Sequence, residues 1–255
     1  MAALVNNAGS RSTGSPSRVL REATEFATFA MRSFTDLYWR LDATTSTNEK
    51  VAALREYFSL ASHDDAACAL AVLRGDRQLR AVSTAQLREW AAVASGWPAW
   101  LVEECYAHVG DLAETLALLL PEPDEAQAEH AAMPTEPGAG LAAVMRDTVH
   151  GLRDAAEERK REVVTAVWRR LAPRERIVWH KLLTGGLRVG VSRTLVARAL
   201  AEVAGVDQAV MAHRLMGDAA TDAAGFARLL APEATSGDDR WPYPVFLASA
   251  LDRTA

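Results

Sequence analysis

Apolar residues recur along this chain at spacings of three and four almost throughout, and alternating runs bounded by turns are nearly absent, which predicts an all-α fold. A first helix is predicted from Arg18 to Leu41, with Phe26, Phe29, Ala30, Phe34, Leu37, Tyr38 and Leu41 as its buried stripe. Ser46 with Glu49, and Ser83 with Gln86, have the spacing of capping boxes, and each opens a further helix. Between these two, Asp64 to Arg74 forms a helix closed by Gly75. Pro98 starts another at its tolerated first turn, and Gly96 and Gly110 mark breaks. The stretch from Leu120 to Gly140 carries Pro121, Pro123, Pro134 and Pro137 among acidic residues and alanines, the composition of a linker or long loop. Beyond it, helices are predicted near Ala155 to Ala172, Pro173 to Thr184, Arg193 to Ala204 and Gln208 to Met216, punctuated by Gly205, Gly217 and Pro232. The expected organisation is a disordered lead-in (1–17), a first helical block (18–120), the Pro-rich acidic linker (121–140), a second helical block (141–231) and an extended tail (232–255).

With 49% hydrophobic and 24% charged positions in 255 residues, the chain has the composition of a folded globular protein. Cys68 and Cys105 can build neither a disulfide framework nor a four-cysteine zinc site, so both are expected reduced in a cytoplasmic protein. The longest apolar run, Ala66 to Leu73, is far short of the ~20 residues of a membrane-spanning helix, and residues 1–17 lack the pattern of a signal peptide. No membrane partner is expected.

The net charge of -5 is very unevenly spread. From Leu101 to Glu136 there are nine acidic residues and no Lys or Arg, whereas Gly151 to Leu200 holds twelve basic residues against five acidic. From Arg174 to Arg198, Glu175 is the only counter-charge, which suggests one basic face on an acidic body. Pairs such as Arg159 with Glu162 serve instead to solvate a helix.

Several chemistries are missing. Neither Lys50, Lys160 nor Lys181 is followed by x-Asp-Gly, so no nucleotidyl-accepting lysine motif is present, and none sits in a P-loop. Glu104 and His108 lie one turn apart, but two ligands without a third make a polar pair, and no metal site is assigned. Ser192 lacks a nucleophile-elbow context. Six of the seven tryptophans, Trp39, Trp90, Trp97, Trp100, Trp168 and Trp179, are assigned to packing.

One segment asks for a functional explanation, Lys181-Leu-Leu-Thr-Gly-Gly-Leu-Arg-Val-Gly-Val-Ser192, which joins two helices. Gly185 or Gly186 can end the incoming helix, Gly190 lets backbone approach another surface, and Ser192 caps the helix that follows. A Ser-capped helix start offers free N–H groups and a positive dipole end, a seat for phosphate, and Lys181, Arg188 and Arg193 add full charges. The same residues also suit a plain helix–helix corner with exposed arginines. The basic flanks tip the reading towards phosphate.

The run His180 to Ser192, continued by Val196-Ala-Arg-Ala-Leu-Ala-Glu202 and Ala212-His-Arg-Leu-Met-Gly-Asp218, resembles the N-terminal DNA-binding domain of bacterial ATP-dependent DNA ligases. Two further stretches, Phe34 to Lys50 and Tyr106 to Leu116 running on to Leu118-Leu-Leu-Pro121, are similar to that family in the right order, so the resemblance spans about Met31 to Leu251. It implies an all-helical domain that grips nicked duplex DNA through the minor groove and backbone, serving repair, replication and recombination. It also implies that a nucleotidyltransferase domain and an OB-fold domain follow. By motif match, DNA binding falls on Lys181, Gly186, Arg188, Gly190, Ser192 and Arg193. ATP and magnesium would belong to the catalytic domain towards which the tail leads, so this chain is expected to bind no cofactor and to be non-catalytic alone. The expected partners are nicked duplex DNA and a separate ligase catalytic chain.

Two rival readings remain open at the level of sequence. Arg193 to Ala204, Gly205-Val206-Asp207 and Gln208 to Met216 have the outline of a helix-turn-helix regulator, with Gln208, His213 and Arg214 as base-reading candidates. A helical scaffold for protein partners, with the basic stretch as mere surface, is the other.

Overall fold

The structure is a computed structural model that describes residues 31–75, 80–123, 140–216 and 222–231. The lead-in, the first part of the predicted first helix, most of the linker and the tail lie outside the described residues. Within them the chain forms helices and no strand. In order these are α1 (Arg32–Asp42), α2 (Thr47–Leu60), α3 (His63–Arg74), α4 (Thr84–Ser95), α5 (Ala99–Val109) and α6 (Leu112–Leu119). There follow α7, made of Leu141–Ala143, a π-helical stretch Val144–His150 and Gly151–Arg153, then α8 (Glu157–Trp168), α9 (Pro173–Thr184), α10 (Arg193–Ala204), α11 (Gln208–Arg214) and α12 (Ala223–Leu230).

Local chemistry explains the boundaries. Ser83 and Gln86 close a full capping box at the start of α4. At α2 only half of the device forms. The Ser46 hydroxyl accepts the Glu49 N–H, but the Glu49 carboxylate is taken by the Thr44 hydroxyl instead of reaching back to the cap. Pro98 stands just outside α5 as its cap, one position earlier than predicted. Gly75, Gly96, Gly110, Gly185 and Gly205 each end a helix in the left-handed region.

The two helical blocks share one core. Helix α2 packs on α10, α6 on α9, α3 on α12 and α1 on both α2 and α9, so packing crosses the linker repeatedly. Phe34, Leu54, Leu87, Trp90, Leu116, Trp179, Leu183 and Leu200 are all buried in it. Each such large side chain contributes roughly 1.5–3 kcal/mol by leaving water. The fully buried Arg176 ties the layers further. Its guanidinium donates to the carbonyls of Trp168 at 2.6 Å and Pro121 at 2.7 Å, joining α9 to the ends of α8 and α6.

Two sequence expectations need correction here. Trp90, Trp168 and Trp179 pack in the core, but Trp97 and Trp100 are 49% and 66% exposed. They sit at the tip of the α4–α5 hairpin, and α5 buries only Val102, so that end has no neighbour to cover them among the described residues. Two of the three base-reading candidates expected on α11 are also turned inward, while Gln208 stays exposed. His213 and Arg214 are buried, and the Arg214 guanidinium donates to the carbonyls of Leu229 at 3.0 Å and Ala231 at 2.6 Å, closing the end of α12. A helix that spends its polar side chains inward cannot read base edges with them.

Candidate nucleic-acid interface

The corner between α9 and α10 is built by local rules and pinned by distant residues. Helix α9 begins with Pro173 in its first turn and ends at Gly185, whose φ of 68° admits the left-handed turn, while the Gly186 N–H bonds back to the Lys181 carbonyl at 2.9 Å. Val189 is buried and anchors the middle of the loop, whereas Gly186, Arg188, Gly190, Ser192 and Arg193 are exposed. The Ser192 hydroxyl accepts the Leu195 N–H at 3.2 Å, and the Ser192 carbonyl takes that of Val196. The N–H groups of Arg193 and Thr194, in the exposed first turn, remain at the positive end of the α10 dipole.

The cations around this corner differ in what they touch. Arg188 is exposed and forms no ion pair among the described residues. Arg193, also exposed, borders a groove of 360 Å³ between α10 and α11, with Arg74 and Gln208 on its polar rim above Val196, Leu215 and Met216. Lys181 is turned away from solvent. Its side chain is 14% exposed, and its ammonium donates to the Asp111 carboxylate at 2.5 Å. Burial alone would raise the Asp111 carboxyl, but the Lys181 hydrogen bond and the Glu114 N–H outweigh it and hold the group below its ordinary value. Glu175, the one acid within the basic stretch, looks elsewhere. It accepts the Ala172 N–H and pairs with Arg32 of α1 at 3.4 Å, while burial raises its carboxyl above the ordinary range.

Lys50 carries no role in the sequence reading, yet it reaches the corner from α2. Its ammonium donates to the carbonyls of Val189 at 2.9 Å and Gly190 at 3.2 Å. Gly190 is needed twice over, because its φ is 58° and a Cβ there would stand 3.1 Å from the Lys50 nitrogen. Next to this contact Asn48 accepts from Arg198 at 3.1 Å, and Arg55 pairs with Glu202 at 3.4 Å, so α2 and α10 run in the same sense with their capped starts on one side. Lys50 and Asp111 had a visible signal: they lie in the stretches Phe34 to Lys50 and Tyr106 to Leu116, which the structure brings against the third, His180 to Ser192.

The model of the family described as DNA ligase N terminus matches residues 30–201. The chain belongs to the DNA ligase N-terminus family. That match runs from the start of α1 into α10 and contains the whole corner, with Lys50 and Asp111; α11 and α12 lie beyond it. No curated protein sequence matches the chain.

The three lysines of this ligase N-terminal domain are each engaged by the fold. Lys50 is bound to two carbonyls, Lys160 to the Arg153 carbonyl at 3.1 Å, and Lys181 to Asp111. A groove of 1020 Å³ between α4 and α8, lined by Trp90 and Trp168, holds none of the three. His108 turns its Nδ1 to the Glu104 backbone carbonyl at 2.8 Å, not to the carboxylate. No helix of the described residues is long and apolar enough to cross a membrane.

Proposed function

We propose that this ligase N-terminal domain grips nicked duplex DNA by its sugar–phosphate backbone at the 185–193 corner, holding the substrate for a catalytic core that seals the nick. The observation that carries the reading is the exposed, Ser-capped start of α10, flanked by the exposed Arg188 and Arg193, inside the family-matched region. Phosphates of the two strands meet the arginines and the exposed first turn of α10, which gives affinity with little sequence preference. In this reading Gly186 and Gly190 let the backbone come close to the DNA, Ser192 sets the helix start, and Lys181 buttresses the corner through Asp111. Lysine adenylation, ATP and magnesium are assigned to a catalytic chain or domain other than these residues. The setting is the bacterial cytoplasm, where nicks left by replication, repair and recombination are sealed.

The burial of His213 and Arg214 weighs against the regulator reading, which needs them facing a groove. Fluorescence anisotropy with nicked and intact duplexes of random sequence tests the proposal. Binding to both at low salt, with discrimination between sequences far below the ~1000-fold of a specific regulator, is the expected outcome. Failure to retain any duplex at low salt overturns it.

A further inference from the structure

Lys50 reaches the proposed DNA corner from α2, and two backbone carbonyls of the loop hold its ammonium. In a trans peptide the carbonyl of one residue and the N–H of the next point in opposite directions, and no cis peptide occurs among the described residues. Because the Val189 and Gly190 carbonyls both turn to Lys50, the N–H groups of Gly190 and Val191 are turned to the other side. Neither finds an acceptor among the described residues. Two successive amides on one side of a turn, with a left-handed residue between them, form a concavity that suits an anion.

We propose that Lys50 is a positioning residue for DNA binding: by drawing the Val189 and Gly190 carbonyls inward it aims the Gly190 and Val191 amides at a DNA phosphate beside Arg188. The inference rests on the reading of the corner as a DNA grip. It assigns Lys50 no phosphate of its own, because two of its three N–H donors are spent on backbone carbonyls. A residue on α2 thereby sets the shape of a loop 139 positions away.

The test uses the full chain, a nicked duplex probe, and the variants Lys50→Met, Lys50→Arg and Arg188→Ala. Lys50→Met removes the donors and is expected to weaken binding about tenfold, the equivalent of one charge-assisted hydrogen bond, with the salt slope unchanged. Lys50→Arg restores donors to both carbonyls and is expected to recover most of the affinity. Arg188→Ala is expected to weaken binding and lower the slope by about one phosphate contact. Parental affinity in Lys50→Met, with Arg188→Ala weakened, overturns the inference and leaves the DNA reading standing. A slope lowered by about one in Lys50→Met also overturns it, because Lys50 then meets phosphate directly. Parental binding by Arg188→Ala removes the reading itself and the inference with it. If Lys50→Met does not fold, amide NMR of the parent decides: Gly190 and Val191 resonances that shift on adding DNA support the inference, and resonances that stay in place overturn it.

Discussion

Trp168 donates its indole N–H to Nε2 of His180 at 2.7 Å, deep in the core between α8 and α9. That bond makes Nε2 an acceptor and leaves the ring proton on Nδ1, which donates to the Ala113 carbonyl at 3.2 Å. A second proton would set two N–H groups against each other. Burial, helped by the nearby Arg176 charge, pushes His180 from 6.5 down to about 4.

Stability should follow that shift. The unfolded chain takes up the proton near 6.5 and the folded one only near 4, so the contribution is complete above 6.5 and is lost as pH falls through that window. The loss is roughly 1.4 kcal/mol per pH unit, or about 3 kcal/mol in all. Urea melts at a series of pH values should show a shallower acid limb in His180→Gln than in the parent. Parallel limbs in the two proteins contradict the assignment.

Arg176 should be among the costliest single residues to replace. Arg176→Met strips three backbone carbonyls, those of Leu120, Pro121 and Trp168, of their donor in a buried setting. A loss of about 3 kcal/mol is expected in chemical denaturation. A loss below about 1 kcal/mol contradicts the clamp.

The tryptophans should divide by position. Trp179→Ala should cost about 3–5 kcal/mol, whereas Trp97→Gln and Trp100→Gln should each stay within about 0.5 kcal/mol of the parent. Thermal melts check this, and large losses at Trp97 or Trp100 contradict their exposure.

Lys181 and Arg188 should separate by salt dependence. Lys181→Met deletes a charge already neutralised by Asp111, so its binding slope should match the parent within about 0.3 while its melting temperature falls. Arg188→Ala should lower the slope by about 0.9 and leave the melting temperature unchanged. Equal slopes for the two variants contradict the division of roles.

How much of this was legible beforehand depended on the range of each interaction. Helix ends depend on residues three or four apart, so Ser83 with Gln86, Ser192 and the glycines at 75, 96, 110, 185 and 205 could be read directly from the chain. Periodicity shows which residues are apolar but not whether a neighbouring helix arrives. Trp97, in the turn before α5, and Trp100, on a helix that buries one side chain, are therefore assigned to packing wrongly. His213 and Arg214 look solvent-facing by composition, and only the position of α12 turns Arg214 inward. At the candidate site the glycines, the serine cap and the arginines were visible. The pins showed only as members of the family-like stretches; their contacts did not, because Lys50 lies 139 positions from Val189 and Asp111 lies 70 from Lys181.

In the proposed grip the α9–α10 corner supplies charge contacts to DNA phosphates. Measuring the affinity for nicked duplex against salt, in the parent and in Arg188→Ala/Arg193→Ala, tests it most directly. With about four phosphates neutralised, log K in the parent should fall with log salt at a slope of roughly -3.6, and the double variant should reduce that to roughly -1.8. An identical slope in the double variant, with its helical circular dichroism intact, contradicts the account.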